Sequence, residues 1–267
     1  MKRQAIKEMQ RIVIKVGTNT IMKTVSDVDF RKIDRLAFVL SAIRQEGREV
    51  ILVSSGAVGV GASTLGIDEY PKAIEDQQAL AAVGQSVLMG HYGRFFNHYN
   101  QQVAQILLTR DVVDFPTSKH NVQRSLESLL ARGIIPIINE NDVVAVDELN
   151  HQTKFGDNDT LSSIVAGLCE ADLLVLMSDV EGLYTENPQD NPEAELISEV
   201  KAIDESIHEM ASGKGSEFST GGMATKIKAA ERMLNNDSAM LITSGDDPTC
   251  LFQILEGDQI GTLFMKG

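Results

Sequence analysis

Six short apolar, β-branched runs recur along this chain, and they constrain its fold more than any other feature. They occupy residues 12–14, 50–53, 103–108, 134–138, 173–177 and 240–242. Continuous runs of this length fit strands covered on both faces, as in a parallel sheet. Amphipathic stretches lie between them. Residues 30–44 place Ile33, Leu36, Ala37, Leu40 and Ile43 on one stripe, and residues 122–130 and 224–234 read the same way. Strand alternating with helix implies right-handed βαβ units. The pattern predicts a single α/β domain across the 267 residues. No repeat, low-complexity tract or linker divides it. The Asn- and Asp-rich residues 188–192, bounded by Pro188 and Pro192, read as one surface loop.

Charge narrows the partners. The 38 acidic residues outnumber the 24 basic ones, for a formal net charge of -14. Such a surface repels phosphate backbones and disfavours nucleic acid or an anionic membrane as the main partner. A small anionic substrate remains compatible, because exposed charges are screened beyond roughly 8 Å and a few local lysines decide what a cleft binds. The polar first eleven residues lack an apolar signal region, and no apolar run approaches the ~18 residues of a membrane span. Cys169 and Cys250 sit in apolar stretches outside any C-x-x-C. They are expected to be reduced core thiols of a cytoplasmic protein.

Open parallel sheets bind ligands beyond the carboxyl ends of their strands. Four runs of small or polar residues follow predicted strands: Lys15-Val16-Gly17-Thr18, Ser54-Ser55-Gly56-Ala57, Asn139-Glu140-Asn141-Asp142 and Ser178-Asp179-Val180-Glu181-Gly182. Their expected convergence on one rim is stronger evidence than any one of them. Lys15 closes an apolar strand beside Gly17; it is either a snorkelling strand-end lysine or a point charge for phosphate. Ser54 and Ser55 stand at a strand-to-helix turn, where they cap the helix or hold an anion. Residues 139–142 carry more polar groups than a turn requires and could hold an ammonium group.

Two further stretches open helices. Phe155-Gly156-Asp157-Asn158-Asp159, after an expected hairpin, precedes a helix over residues 160–168. Asp157 or Asp159 could be its N-cap, or the two acids could align charged groups in a site. Thr220-Gly221-Gly222-Met223-Ala224-Thr225-Lys226 opens another helix, with glycines that let backbone amides cradle phosphate and Lys226 one turn in. There is no P-loop, no G-x-G-x-x-G after a strand, no protein-kinase motif and no G-x-S-x-G. Those enzyme classes are disfavoured.

As a set, these residues resemble the glutamate 5-kinase family of the amino acid kinase superfamily. Gly182-Leu183-Tyr184-Thr185, the stretch Gln78-Ala79-Leu80-Ala81-Ala82-Val83-Gly84-Gln85 and the ending Gly261-Thr262-Leu263-Phe264 resemble it too, so the likeness runs from about Arg11 to Phe264. It implies an α/β fold, a three-layer αβα sandwich with a mainly parallel central sheet of about eight strands. It implies a glutamate lobe over about residues 1–170 and an ATP lobe over about 171–267. Many family members carry a further C-terminal PUA domain, and this chain reads as the kinase domain without one.

The same resemblance implies ATP with Mg²⁺, and L-glutamyl 5-phosphate as product, the first step toward proline. Lys15 and Lys226 would neutralise the transferring phosphoryl group, with Asp159 holding both. Ser55, Asp142 and Asn158 would bind glutamate. Lys15, Ser178, Asp179, Thr220, Gly221, Gly222, Met223, Ala224, Thr225 and Lys226 would bind ATP. Proline is implied as feedback inhibitor, a homo-oligomer as assembly and glutamyl phosphate reductase as partner. The rival readings are a superfamily enzyme acting on aspartate, N-acetylglutamate, carbamate or UMP, and a catalytically dead amino-acid sensor. Two lysines remote from one another would leave only a doubly wound nucleotide-binding protein.

Overall fold

The computed structural model describes residues 3–144, 157–188, 190–212 and 222–267. The hairpin expected before Phe155, along with Phe155, Gly156, Thr220 and Gly221, lies outside them. All six apolar runs are strands: β1 (Arg11–Val16), β4 (Glu49–Ser54), β5 (Val103–Leu108), β6 (Ile135–Glu140), β7 (Leu173–Ser178) and β9 (Ala239–Ser244). Four short strands were not foreseen. β2 (Met22–Thr24) and β3 (Asp27–Val28) form a separate antiparallel hairpin. β8 (Glu199–Val200) and β10 (Thr262–Phe264) complete the main sheet. At two or three residues each, they are held by their neighbours and carry no pattern of their own.

The main sheet has eight strands in the order β5-β6-β4-β1-β7-β9-β10-β8, parallel throughout except for the β9–β10 pair. The helices are α1 (Thr18–Ile21), α2 (Phe30–Gln45), α3 (Ala57–Leu65), α4 (Ile74–His98), α5 (Asp111–Asp114), α6 (Pro116–Leu130), α7 (Asn158–Leu168), α8 (Glu205–Ser212), α9 (Gly222–Asn235) and α10 (Cys250–Leu255). The expected helices in the stretches 30–44, 122–130, 160–168 and 224–234 are α2, α6, α7 and α9.

Alternation along the strands sends neighbouring side chains to opposite faces. Ile12, Ile14 and Val16 of β1 join one core with residues of α2, α4 and α10. Val13 joins a second core with residues of α6, α7 and α9. The result is a three-layer sandwich. By the same parity Lys15 leaves β1 on the Val13 side, toward α7 and α9. Among the described residues no helix is long and apolar enough to cross a membrane. Both cysteines are free, but only Cys169 is a core residue; Cys250, at the start of α10, is partly buried. Burial pushes the Cys169 thiol up to about 12, so it stays protonated at neutral pH.

Glycines set the distance between α3 and α4. A Cβ on Gly84 would lie 1.8 Å from the Ala57 carbonyl oxygen and 2.4 Å from the Gly61 nitrogen. These are backbone atoms that no rotamer change can move. Gly84→Ala is therefore expected to force the helices apart and cost about 1–3 kcal/mol of stability, although alanine is the better helix former. Urea unfolding measures this; an unchanged midpoint would mean the crossing relaxes freely.

Candidate active site

Strands β6, β4, β1 and β7 are adjacent and parallel, so the four polar turns do stand side by side at their carboxyl ends. The chain moves from β1 to β4 on one side and later returns to β7 on the other, which makes β1 the switch point where open sheets bind ligands. Neighbouring turns are tied together. Ser55 N donates to Val16 O at 3.1 Å, and Gly245 N donates to Ser178 O at 2.6 Å.

Three charged side chains meet above β1. Asp159, in the first turn of α7, is 4% exposed. Lys15 Nζ lies 2.7 Å from its Oδ1 as an ion pair, and Lys226 Nζ donates to its Oδ2 at 2.9 Å. The lysines are themselves buried, at 9% and 7% exposure. Lys226 also donates to Gly222 O at 3.2 Å, and Thr225 Oγ1 reaches Asp159 Oδ2 at 3.4 Å. Burial alone would raise the Asp159 carboxyl, but the ammonium groups of Lys15 and Lys226 outweigh it and hold the group below the usual carboxylate range. One carboxylate facing two ammonium groups leaves an excess positive charge, strengthened by the α7 N-terminus.

The neighbouring acid has the other role. Asp157 is the N-cap of α7 and accepts from Thr160 N at 2.6 Å. Capping and charge alignment are thus divided between Asp157 and Asp159.

A cavity of about 560 Å³ opens on the β4 and β6 side of the triad, lined in part by Ser55, Asn139, Glu140, Asp142, Asp157 and Asn158. That volume suits a small metabolite. The three residues expected to bind glutamate therefore share one cavity. Asn158 Nδ2 donates to Ser55 Oγ at 2.7 Å and to Asn139 Oδ1 at 3.2 Å. The start of α3 lines the same space, through Gly56, Ala57, Val58 and Gly59. Gly56 is the N-cap, with φ 99° and no side-chain cap, and a Cβ there would lie 2.2 Å from Ile21 Cδ1. Uncapped amides at a helix start attract an anion. A lining that holds both acids and helix-start amides complements an α-amino acid, which carries both charges.

Of the residues expected to bind ATP, Lys15 belongs to β1, and Ser178 and Asp179 stand at the end of β7 on its other side. Ser178 Oγ donates to Asp179 Oδ1 at 2.9 Å at the end of β7. Gly222, Met223, Ala224, Thr225 and Lys226 form the first turn of α9. Gly222 is the first helical residue and does not precede the helix as expected. Thr220 and Gly221 lie outside the described residues.

Sequence reasoning missed the β2–β3 hairpin, whose Met22, Lys23 and Thr24 line the cavity. It also missed two residues of α4 that support the site from beneath. Tyr92 is fully buried, with its hydroxyl 2.7 Å from Ser54 Oγ. Gln85 Oε1 accepts from Asn139 Nδ2 at 2.9 Å. Nothing in the local sequence marks Tyr92, whereas Gln85 falls in the 78–85 stretch, to which no role was given.

Comparisons with known proteins bear on the family and the fold. A model of the amino acid kinase family matches residues 10–244. The chain is 55% identical over 262 residues to glutamate 5-kinase of Listeria monocytogenes serovar 1/2a, covering 98% of this chain and 95% of that protein. It is 52% identical over 265 residues to glutamate 5-kinase of Enterococcus faecalis, covering 99% and 98%. Among solved structures, carbamate kinase from Giardia lamblia bound to AMP-PNP has a TM-score of 0.67 at 14% identity, covering 98% of this chain and 100% of that one. UMP kinase from Ureaplasma parvum has a TM-score of 0.64 at 18% identity, covering 97% and 99%. At such identities the two structures speak for the fold alone.

Proposed function

The chain belongs to the amino acid kinase family, on its glutamate 5-kinase branch, and from that premise we propose how its rim carries out the reaction. It is an ATP-dependent kinase that phosphorylates the side-chain carboxylate of L-glutamate to L-glutamyl 5-phosphate, the first step of proline biosynthesis. The observation that carries the mechanism is the meeting of Lys15 and Lys226 on Asp159 beside an amino-acid-sized cavity.

A carboxylate oxygen of glutamate attacks the γ-phosphorus, the bond to the β,γ-bridging oxygen breaks, and ADP leaves. The attacking carboxylate is already ionised at neutral pH, so no general base is needed. The obstacle is the approach of one anion to another, and positioning with charge neutralisation answers it. In our reading Lys15 and Lys226 face the transferring phosphoryl group, and Asp159 holds them without cancelling both charges. Ser55 and Asn158 orient glutamate, Asp142 pairs with its ammonium, and the α3 amides face its α-carboxylate. Ser178, Asp179 and the stretch of sequence Thr220, Gly221, Gly222, Met223, Ala224, Thr225 and Lys226 hold ATP.

Mg²⁺ enters this reading as the companion of ATP, adding positive charge at its phosphates. Among the described residues no three His, Cys, Asp or Glu side chains converge on a metal position. Cytoplasmic placement, proline feedback, a homo-oligomer and a reductase that consumes the acyl phosphate belong to the same reading and rest on the family resemblance.

Asp142→Ala is expected to raise the glutamate KM at least tenfold, as loss of a charged hydrogen bond does, with the ATP KM nearly unchanged. Steady-state kinetics with each substrate varied measures this, and equal changes in both constants would reject the ammonium role. The activity itself is tested by trapping the acyl phosphate with hydroxylamine. Hydroxamate should form only when glutamate and ATP are both present. ADP release that ignores glutamate would refute the assignment.

A further inference from the structure

The 78–85 stretch contributes no residue to the cavity lining, yet it lies directly beneath the site. Gly84 lets α4 touch the start of α3, and the next residue, Gln85, reaches Asn139 of β6. Three amides then run in series. Gln85 Oε1 accepts from Asn139 Nδ2, Asn139 Oδ1 accepts from Asn158 Nδ2, and Asn158 Nδ2 also donates to Ser55 Oγ. Asn139, the middle member, is 4% exposed and has little room for another partner.

A side-chain amide has one acceptor end and one donor end, so orienting one member orients the next. With Gln85 presenting its oxygen, both hydrogens of Asn158 Nδ2 are used inside the protein. What Asn158 then offers the cavity is its carbonyl oxygen Oδ1. A donor-first Gln85 would reverse Asn139, and then Asn158, leaving an N–H facing the ligand. An acceptor suits the substrate's ammonium group; a donor would oppose it.

We propose that Gln85 is a positioning residue for glutamate recognition, fixing the Asn139–Asn158 amide chain so that the site presents an acceptor to the substrate ammonium. The proposal rests on the glutamate reading above and deepens it. Gln85 touches no reacting atom and acts through Asn139.

The test compares Gln85→Met, which removes the acceptor, with Gln85→Glu, whose ionised carboxylate can only accept and so locks the observed orientation. Glutamate is set against glutarate, the same dicarboxylate without the ammonium group. Gln85→Met should raise the glutamate KM about tenfold, the scale of one lost hydrogen bond, leave the ATP KM within about twofold, and lower the glutamate-over-glutarate ratio of kcat/KM. Gln85→Glu should keep that ratio at or above the wild-type value. If the methionine variant does not fold, the glutamate variant decides alone, and a lowered ratio there overturns the proposal. Equal behaviour of the two variants also overturns it, because a packing role would not distinguish them. A wild-type chain with no glutamate-dependent turnover would instead refute the reading underneath.

Discussion

Lys226→Ala is expected to lower kcat by about 10²–10³, the usual loss when one preorganised charge is withdrawn from a transition state. The protein should stay folded. Lys226 Nζ bonds one oxygen of Asp159 while Lys15 holds the other, so the buried carboxylate keeps a counter-charge after the substitution. The alanine also retains helix propensity in the first turn of α9. Because the lysine acts on charge that develops during transfer, kcat and kcat/KM should fall together. Single-turnover measurement with labelled ATP isolates the chemical step. A folded variant with near-normal turnover would remove Lys226 from the mechanism and with it the shared-charge argument.

Asp159→Asn is expected to damage both activity and stability. It keeps the shape of the side chain but leaves two buried ammonium groups without their common anion. Removing one partner of a buried ion pair costs about 3–5 kcal/mol. Turnover should fall as well, since the lysines repel one another once the carboxylate is gone. The pH dependence has a definite sign. The folded-state pKa of Asp159 lies below its ordinary value, so its contribution is fully present above the unfolded value of about 4 and is lost as pH falls through the folded value. The stability gap between wild type and variant should therefore be widest near neutrality and close on acidification below about pH 4. Urea unfolding across that range measures it. A gap that stays constant into acid would show that the lysine pairing adds no net stability.

The two substitutions separate what the triad does for chemistry from what it does for folding. Lys226→Ala leaves a paired carboxylate and should act mainly on rate; Asp159→Asn leaves unpaired cations and should act on both. A shared loss of stability of the same size in each would mean that the three groups form one structural unit rather than a site supported by Asp159.

Much of this architecture was legible in advance because strands buried on both faces must be apolar along their length. That requirement exposed β1, β4, β5, β6, β7 and β9, and α2 showed itself by its stripe. α4, the longest helix among the described residues, escaped because its mixture of Ala, Gly and Gln carries a weak stripe. Its close packing depends on Gly84 lacking a side chain, which no hydrophobic pattern records. β8 and β10 escaped because two or three residues are too few to show a period. Among the site residues, Lys15, Asp159 and Lys226 could be singled out by type and position, as charged groups at strand ends and helix starts.

What the sequence determined by itself was the set of buried strands, the polar turns that follow them and the family to which both belong, since these follow from local composition and order. Which groups touch was decided by tertiary structure. Strand parity turned Lys15 toward α7, sheet order set the turns of β6, β4, β1 and β7 side by side, and the α3–α4 crossing brought Gln85 and Tyr92 under the site. The physical reason is that a contact between residues far apart in the chain depends on the packing of whole layers, and no local stretch of sequence holds that information.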